Sequence, residues 1–147
     1  MQIQPIEIMF SPSKEGDREA NIEIEIPGLK LTRKITGQGF QPELTAASDY
    51  IDFQKVEIGD FIDSTVNLIV KNISKKTVRI SSVEILGSDD EHFFIIDGAE
   101  PKALLPEEGY DITLRFMPEF TSLSNARLVF KYDGTGQETF IYLLGEG

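Results

Sequence analysis

The chain repeats itself over a distance that suits a whole β-domain. The opening segment PIEIMFSPSKEGDREANIEIEIPGLKLTRKITGQG lines up with YDITLRFMPEFTSLSNARLVFKYDGTGQETFIYLLGEG at the end. Ile6, Ile8, Phe10 and Pro12 fall on Ile112, Leu114, Phe116 and Pro118, and Ala20, Ile22, Ile24 and Ile26 fall on Ala126, Leu128, Phe130 and Tyr132, all at an offset of 106. Gly37-Gln38-Gly39 then meets Gly145-Glu146-Gly147 at an offset of 108. The two extra residues belong to the turn around Asp133-Gly134-Thr135-Gly136, which replaces the shorter one at Pro27-Gly28. Length changes confined to a turn are what a repeated fold tolerates. The period is far longer than a solenoid unit of ~20–45 residues and suits a sandwich domain of about 100.

Residues 1–40 are therefore expected to be the last strands of one repeat. Residues 41–147 are expected to form the next repeat in full, entered through QPELTAASD, so that the chain begins in mid-domain. Alternating apolar and polar residues, the mark of a strand with one buried face, recur throughout. The expected core is Val66, Leu68, Val70, Val78, Ile80, Val83, Ile85, Phe94, Ile96, Ile112, Leu114, Phe116, Ala126, Leu128, Phe130, Tyr132, Ile141 and Leu143. Turn signals stand between these runs at Gly59-Asp60, Gly87-Ser88-Asp89-Asp90, Asp97-Gly98, Pro106-Glu107-Glu108-Gly109 and Asp133-Gly134. No stretch keeps helical spacing for two or three turns. The expectation is an all-β chain of seven or eight antiparallel strands in two packed sheets. The three strands expected in residues 1–40 cannot close a sandwich alone, so they should pair with another copy of the chain or dock on the main domain.

Composition narrows the function. The net charge is −11, and residues 41–147 carry nineteen acids against nine bases, whereas residues 1–40 are nearly balanced. An acidic body without a basic stripe argues against nucleic-acid or membrane-surface binding. The chain has no cysteine, which removes disulfides, thiolate nucleophiles and zinc–sulfur sites. No apolar run approaches the ~20 residues that span a bilayer, and the N-terminus lacks a signal-peptide pattern. The chain is thus either cytosolic or a piece of something longer.

The runs IDFQKVEIGDF, KNISKKTVRI, LLPEEGYDITLRFMPE and ARLVFKYDG, closed by GEG, resemble the Hydin-like (ASH-type) immunoglobulin domain and its bacterial relatives called choice-of-anchor D. Asp52, Phe53, Val56 and Gly59 match the family's entry, and Lys71, Asn72 and Ser74 its strand end. Pro106 with Gly109 matches its turn, and Phe116 with Pro118 its exit. Glu107-Glu108 and Tyr110 depart from the pattern. The resemblance spans about residues 50–147 and implies an immunoglobulin-like sandwich without catalytic activity. It implies binding to a protein partner or to neighbouring repeats, in exported bacterial proteins at the cell surface or in cytoplasmic ciliary and centrosomal scaffolds. A likeness to PapD and major sperm protein sandwiches points to strand addition as a binding mode.

The matched residues all have structural uses: Asn72 to close a turn, Gly59 and Gly109 for backbone freedom, Pro118 to stop a strand. For chemistry there is one histidine, His92, read as lying in a loop after Asp89-Asp90-Glu91, with no G-x-S-x-G elbow to serve. That acidic stretch, with Asp97 or Glu100, has oxygens for calcium but no EF-hand spacing, and is read as a solvated loop. Asp49, Asp52, Glu57, Asp60 and Asp63 are read the same way. Gly37-Gln38-Gly39 and Gly134-Thr135-Gly136 lack the helix that a phosphate loop requires. No catalytic, cofactor-binding or metal residue is assigned. The leading function is a non-enzymatic structural or protein-binding repeat, and the second a carbohydrate- or surface-binding adhesin module whose aromatic row would be Phe140 and Tyr142.

Overall fold

The computed structural model describes residues 5–41, 43–133 and 137–147. The turn residues Gly134, Thr135 and Gly136 lie outside the described residues. The chain divides into two compact units, Met1–Gln41 and Pro42–Gly147.

The first unit is a hairpin of β1 (Gly16–Ile26) and β2 (Leu29–Gly39), antiparallel from Gly16↔Gly39 to Ile26↔Leu29. Pro27 and Gly28, the latter at φ 83°, have the composition of a type II turn. Ala20, Ile22, Ile24, Ile26, Leu29, Leu31 and Ile35 share one face, and Ile24, Ile26, Leu29 and Leu31 on it are exposed. Among the described residues, β1 and β2 pair only with each other. Residues 5–12 carry no strand pairing, so the unit has two strands and not the expected three. The reason is local: β9, which repeats this sequence, is paired with a strand on each side, whereas residues 5–12 pair with no strand among the described residues.

The second unit is a two-layer β-sandwich. Its strands are β3 (Leu44–Ala46), β4 (Tyr50–Lys55), β5 (Ile62–Asn72), β6 (Val78–Leu86), β7 (Phe93–Asp97), β8 (Lys102–Leu104), β9 (Gly109–Phe116), β10 (Leu123–Tyr132) and β11 (Glu138–Glu146). One sheet has the order β4-β11-β10-β6-β8 and the other β3-β5-β9-β7. Seven of these strands are longer than three residues; β3 and β8 are short edge pieces. The pairing is antiparallel with one departure from the expectation: β4 runs parallel to β11, Tyr50 opposite Tyr142 and Asp52 opposite Leu144. The sole helical piece among the described residues is a single 3₁₀ turn, Asp90–His92, too short to cross a membrane.

Fifteen of the eighteen expected core positions point inward, and the three exceptions have physical causes. Leu68 is exposed, at φ 52°, because the β5–β9 register shifts between Val66 and Val70 and the bulge brings Ile69 inward beside Val70. Phe94 and Ile96 are exposed, while Phe93 is buried and Ile95 partly so. HFFIID is apolar in both phases, so alternation cannot choose between them. Phe53, Phe93 and Phe116 form the centre of the core, with ring centroids 4.9–5.9 Å apart.

The two hairpins share one register. Every pair from Asp17↔Gln38 to Glu25↔Lys30 has its counterpart from Leu123↔Glu146 to Lys131↔Glu138, at the offsets of 106 and 108 that the sequence shows. The glycines repeat too. A Cβ on Gly37 would lie 2.7 Å from the Phe10 ring, and one on Gly145 would lie 2.5 Å from the Phe116 ring. A Cβ on Gly39 would strike the Lys14 carbonyl and Pro12, and one on Gly147 the Phe120 carbonyl and Pro118. In each case the last strand passes so close to the preceding Phe-x-Pro segment that only glycine fits.

Gly145→Ala should therefore cost about 1–3 kcal/mol by overpacking. Urea denaturation checks this, and a double-mutant cycle with Phe116→Ala should show that the two changes are strongly coupled.

Candidate functional site

Two places could carry function: the His92 corner and the outer face of the five-stranded sheet. His92 lies not in the expected loop but in the 3₁₀ turn Asp90–His92, which buries it. His92 is 3% exposed, its Nδ1 lies 2.8 Å from Ser124 Oγ, and its ring stands 5.7 Å from that of Phe120. Its Nε2 is buried without a hydrogen-bond partner, 4.0 Å from Glu91 Oε1. Serine, imidazole and carboxylate thus meet, with Ser124 only 2% exposed. The pair ties the 3₁₀ turn to β10.

The acidic residues are used singly. Asp89 accepts hydrogen bonds from the Asn125 backbone N–H and side-chain amide, at 3.0 and 3.2 Å. Asp52 Oδ1 accepts the N–H of Gln54, which sits at φ 61°. Asp63 receives Arg115 through both oxygens, at 2.8 and 2.9 Å, and the guanidinium lies 3.8 Å over the Phe61 ring. Among the described residues no three His, Cys, Asp or Glu side chains converge as a metal site would need.

The motif residues form a structural latch. Asn72 is fully buried; its Nδ2 donates to the Lys76 and Leu104 carbonyls, and its Oδ1 accepts from Ser74 N–H and Oγ. Gly59 supplies a positive φ of 89°, but Gly109 does not; in that turn Glu107 takes the left-handed conformation, at φ 68°. Gly109 supplies space, since a Cβ there would collide with Leu68. Tyr110 is buried with its hydroxyl 2.6 Å from the Gly98 and Glu100 carbonyls. Burial, then Glu100 and Asp97, push its ionisation up.

The outer face of β4, β11 and β10 combines aromatic and charged side chains. Phe140 and Tyr142 meet edge to face at 5.4 Å, with Arg127 5.4 Å over the Phe140 ring. Tyr50, which the sequence reading did not include, joins them because β4 pairs in parallel beside Tyr142. Nothing in residue spacing signals that pairing. An open basin of about 640 Å³ lies alongside, lined by Asp52, Gln54, Asn125, Tyr142, Leu144 and Glu146 among others.

No family model matches the chain, and no curated protein matches it. Solved structures do. The ASH/PapD-like domain of human CEP192 (PapD-like domain 7) matches with 14% identity over 72% of this chain and 84% of that one, at a TM-score of 0.50. A protein of unknown function from Porphyromonas gingivalis W83 matches with 13% identity over 92% of this chain and 67% of that one, at a TM-score of 0.54. At these identities the likeness is one of fold. The chain is an all-β protein whose second unit has an immunoglobulin-like, PapD-like sandwich fold.

Asn72→Ala strands two carbonyls and the Ser74 donors, and should cost about 2–4 kcal/mol, since each buried group left unpaired costs about 1–3 kcal/mol; thermal unfolding reads it. The Asp63 carboxyl is held below its ordinary value first by its hydrogen bonds from Arg115. A depressed carboxylate stabilises above the unfolded-state value near pH ~4 and loses that contribution as pH falls through the folded value. Asp63→Asn should therefore be less stable than the parent at pH 7, and the difference should shrink as the pH is lowered through the range in which the folded-state carboxylate takes up its proton, in urea titrations.

Proposed function

We propose that the chain is a non-enzymatic structural or protein-binding repeat of the ASH and choice-of-anchor D kind, from a tandem array in a larger exported bacterial protein. The observation that carries this reading is the shared register of β1–β2 and β10–β11, down to the paired glycine–phenylalanine contacts. One sequence pattern folded twice in one register is the signature of repeated domains. In such an array each sandwich is a spacer that sets reach, and its outer sheet faces and strand edges are the surfaces offered to partners. The uses of Asp52, Asp63, Asn72 and Asp89 in turns, strand ties and an ion pair support this role.

A second reading, a carbohydrate-binding adhesin module, is favoured by Tyr50 standing beside Tyr142 and Phe140 above a basin with amide and carboxylate groups. A glycan array separates the two: the adhesin reading requires binding that Tyr142→Ala abolishes.

The spacer reading makes a mechanical prediction. Two copies of residues 42–147 joined in tandem should unfold under force in two equal steps, each releasing roughly 350–380 Å of contour length at ~3.3–3.6 Å per residue. One merged event, or gradual extension without steps, would contradict independent sandwich units.

A further inference from the structure

The outer face of the five-stranded sheet carries a cation and a carboxylate on opposite sides of an apolar strip. Leu86, Arg127, Tyr142 and Tyr50 stand in one row across β6, β10, β11 and β4, because each is the register partner of the next. Leu144 and Asp52 stand side by side one step further along β11 and β4. Leu86, Tyr50, Tyr142 and Leu144 are all exposed, and contiguous apolar surface of this kind marks a contact site. Neither charge is neutralised within the chain: among the described residues Arg127 is held in no ion pair and lies over the Phe140 ring, and Asp52 accepts the Gln54 N–H. Their charged neighbours differ, since Lys131 is paired with Glu84 and Lys55 with Glu146. Two strand spacings of ~4.8 Å and one two-residue step of ~6.6 Å separate Arg127 from Asp52 by about 12 Å, with β11 midway.

We propose that this face binds the same face of a second copy of the chain. A two-fold axis in the contact plane, crossing β11 between Tyr142 and Leu144, sets Arg127 of each copy over Asp52 of the other and brings their tyrosines together, as a self-complementary contact requires. One surface supplies both the charge and its counterion, so the arrangement needs no partner of different chemistry. Four strands and the nine residues of β11 make a face of roughly 19 by 30 Å. Two such faces remove roughly 1,100 Å² from water, near the lower limit for a specific interface, so the association is weak. The net charge of −11 on each copy opposes it at long range. At physiological ionic strength that repulsion is screened beyond about 8 Å, whereas the facing Arg127–Asp52 pairs lie within that distance. The inference rests on the protein-binding reading above, which offers sheet faces to partners, and it names the partner of this one.

Sedimentation equilibrium of the full chain in about 0.15 M salt tests it. The average mass should rise from monomer towards dimer as the concentration passes through the micromolar range. Arg127→Glu sets a carboxylate against the other copy's Asp52, and Asp52→Lys sets an ammonium against the other copy's Arg127. Each should weaken self-association by about tenfold or more. Mixed in equal amounts, the two variants should associate with one another, because every facing pair is again opposite in sign. Asp52 also holds the Gln54 N–H; should Asp52→Lys not fold by circular dichroism, Asp52→Asn, which keeps that acceptor, takes its place and must still weaken self-association. A chain that is monomeric at every concentration overturns the proposal and leaves the repeat reading standing, since that reading fails instead in the unfolding steps under force. Self-association that survives both single variants also overturns it and places the contact elsewhere. A mixture no more associated than its components overturns the charge pairing and the proposal with it.

Discussion

The fold depends on the close passage of its last strand over a phenylalanine ring. Gly145 sits so near Phe116 that no side chain larger than hydrogen fits, and Phe116 in turn packs on Phe93 and Phe53. This contact joins the two sheets, since Gly145 belongs to β11 and Phe116 to β9. Around it the inward residues of both sheets, Leu114 and Ile112 from one and Leu128, Ile141 and Leu143 from the other, are almost wholly removed from water. Burial of this kind, at roughly 25 cal/mol per Å² of apolar surface, is the main favourable term in such a domain.

The same contact recurs between Gly37 and Phe10, in a unit without a second sheet. There the hairpin keeps its register and its glycine–aromatic seat, yet its isoleucine and leucine face stays exposed. Local pattern and the Pro-Gly turn are enough to set strand pairing in β1–β2. Burial needs the strands that complete a sandwich. Comparing the two hairpins therefore separates what a strand pair carries by itself from what it draws from its surroundings.

Much of the architecture was legible because alternation and turn chemistry are local. The repeat follows from aligned residues at a constant offset, and the inward residues of β9, β10 and β11 follow from spacing two apart. What was not legible depends on tertiary context. The phase of Phe93–Asp97 is ambiguous because both faces are apolar, and the bulge at Leu68 leaves no mark in the pattern. The burial of His92 depends on Ser124, thirty-two residues away. Tyr50 was missed as part of the aromatic surface because the parallel pairing of β4 with β11 is set by where the chain enters the sheet. The latch at Asn72 was legible as a turn, but its reach to the Leu104 carbonyl was not.

The central claim is that β1–β2 and β10–β11 are one structural unit written twice. The most direct measurement is the pattern of cross-strand Hα–Hα nuclear Overhauser effects in the isotopically labelled chain. Contacts in β1–β2 should fall on the same alternate pairs as in β10–β11, shifted by 106 residues on one strand and 108 on the other. A β1–β2 pattern displaced by one or two residues would put different side chains opposite each other and contradict the account.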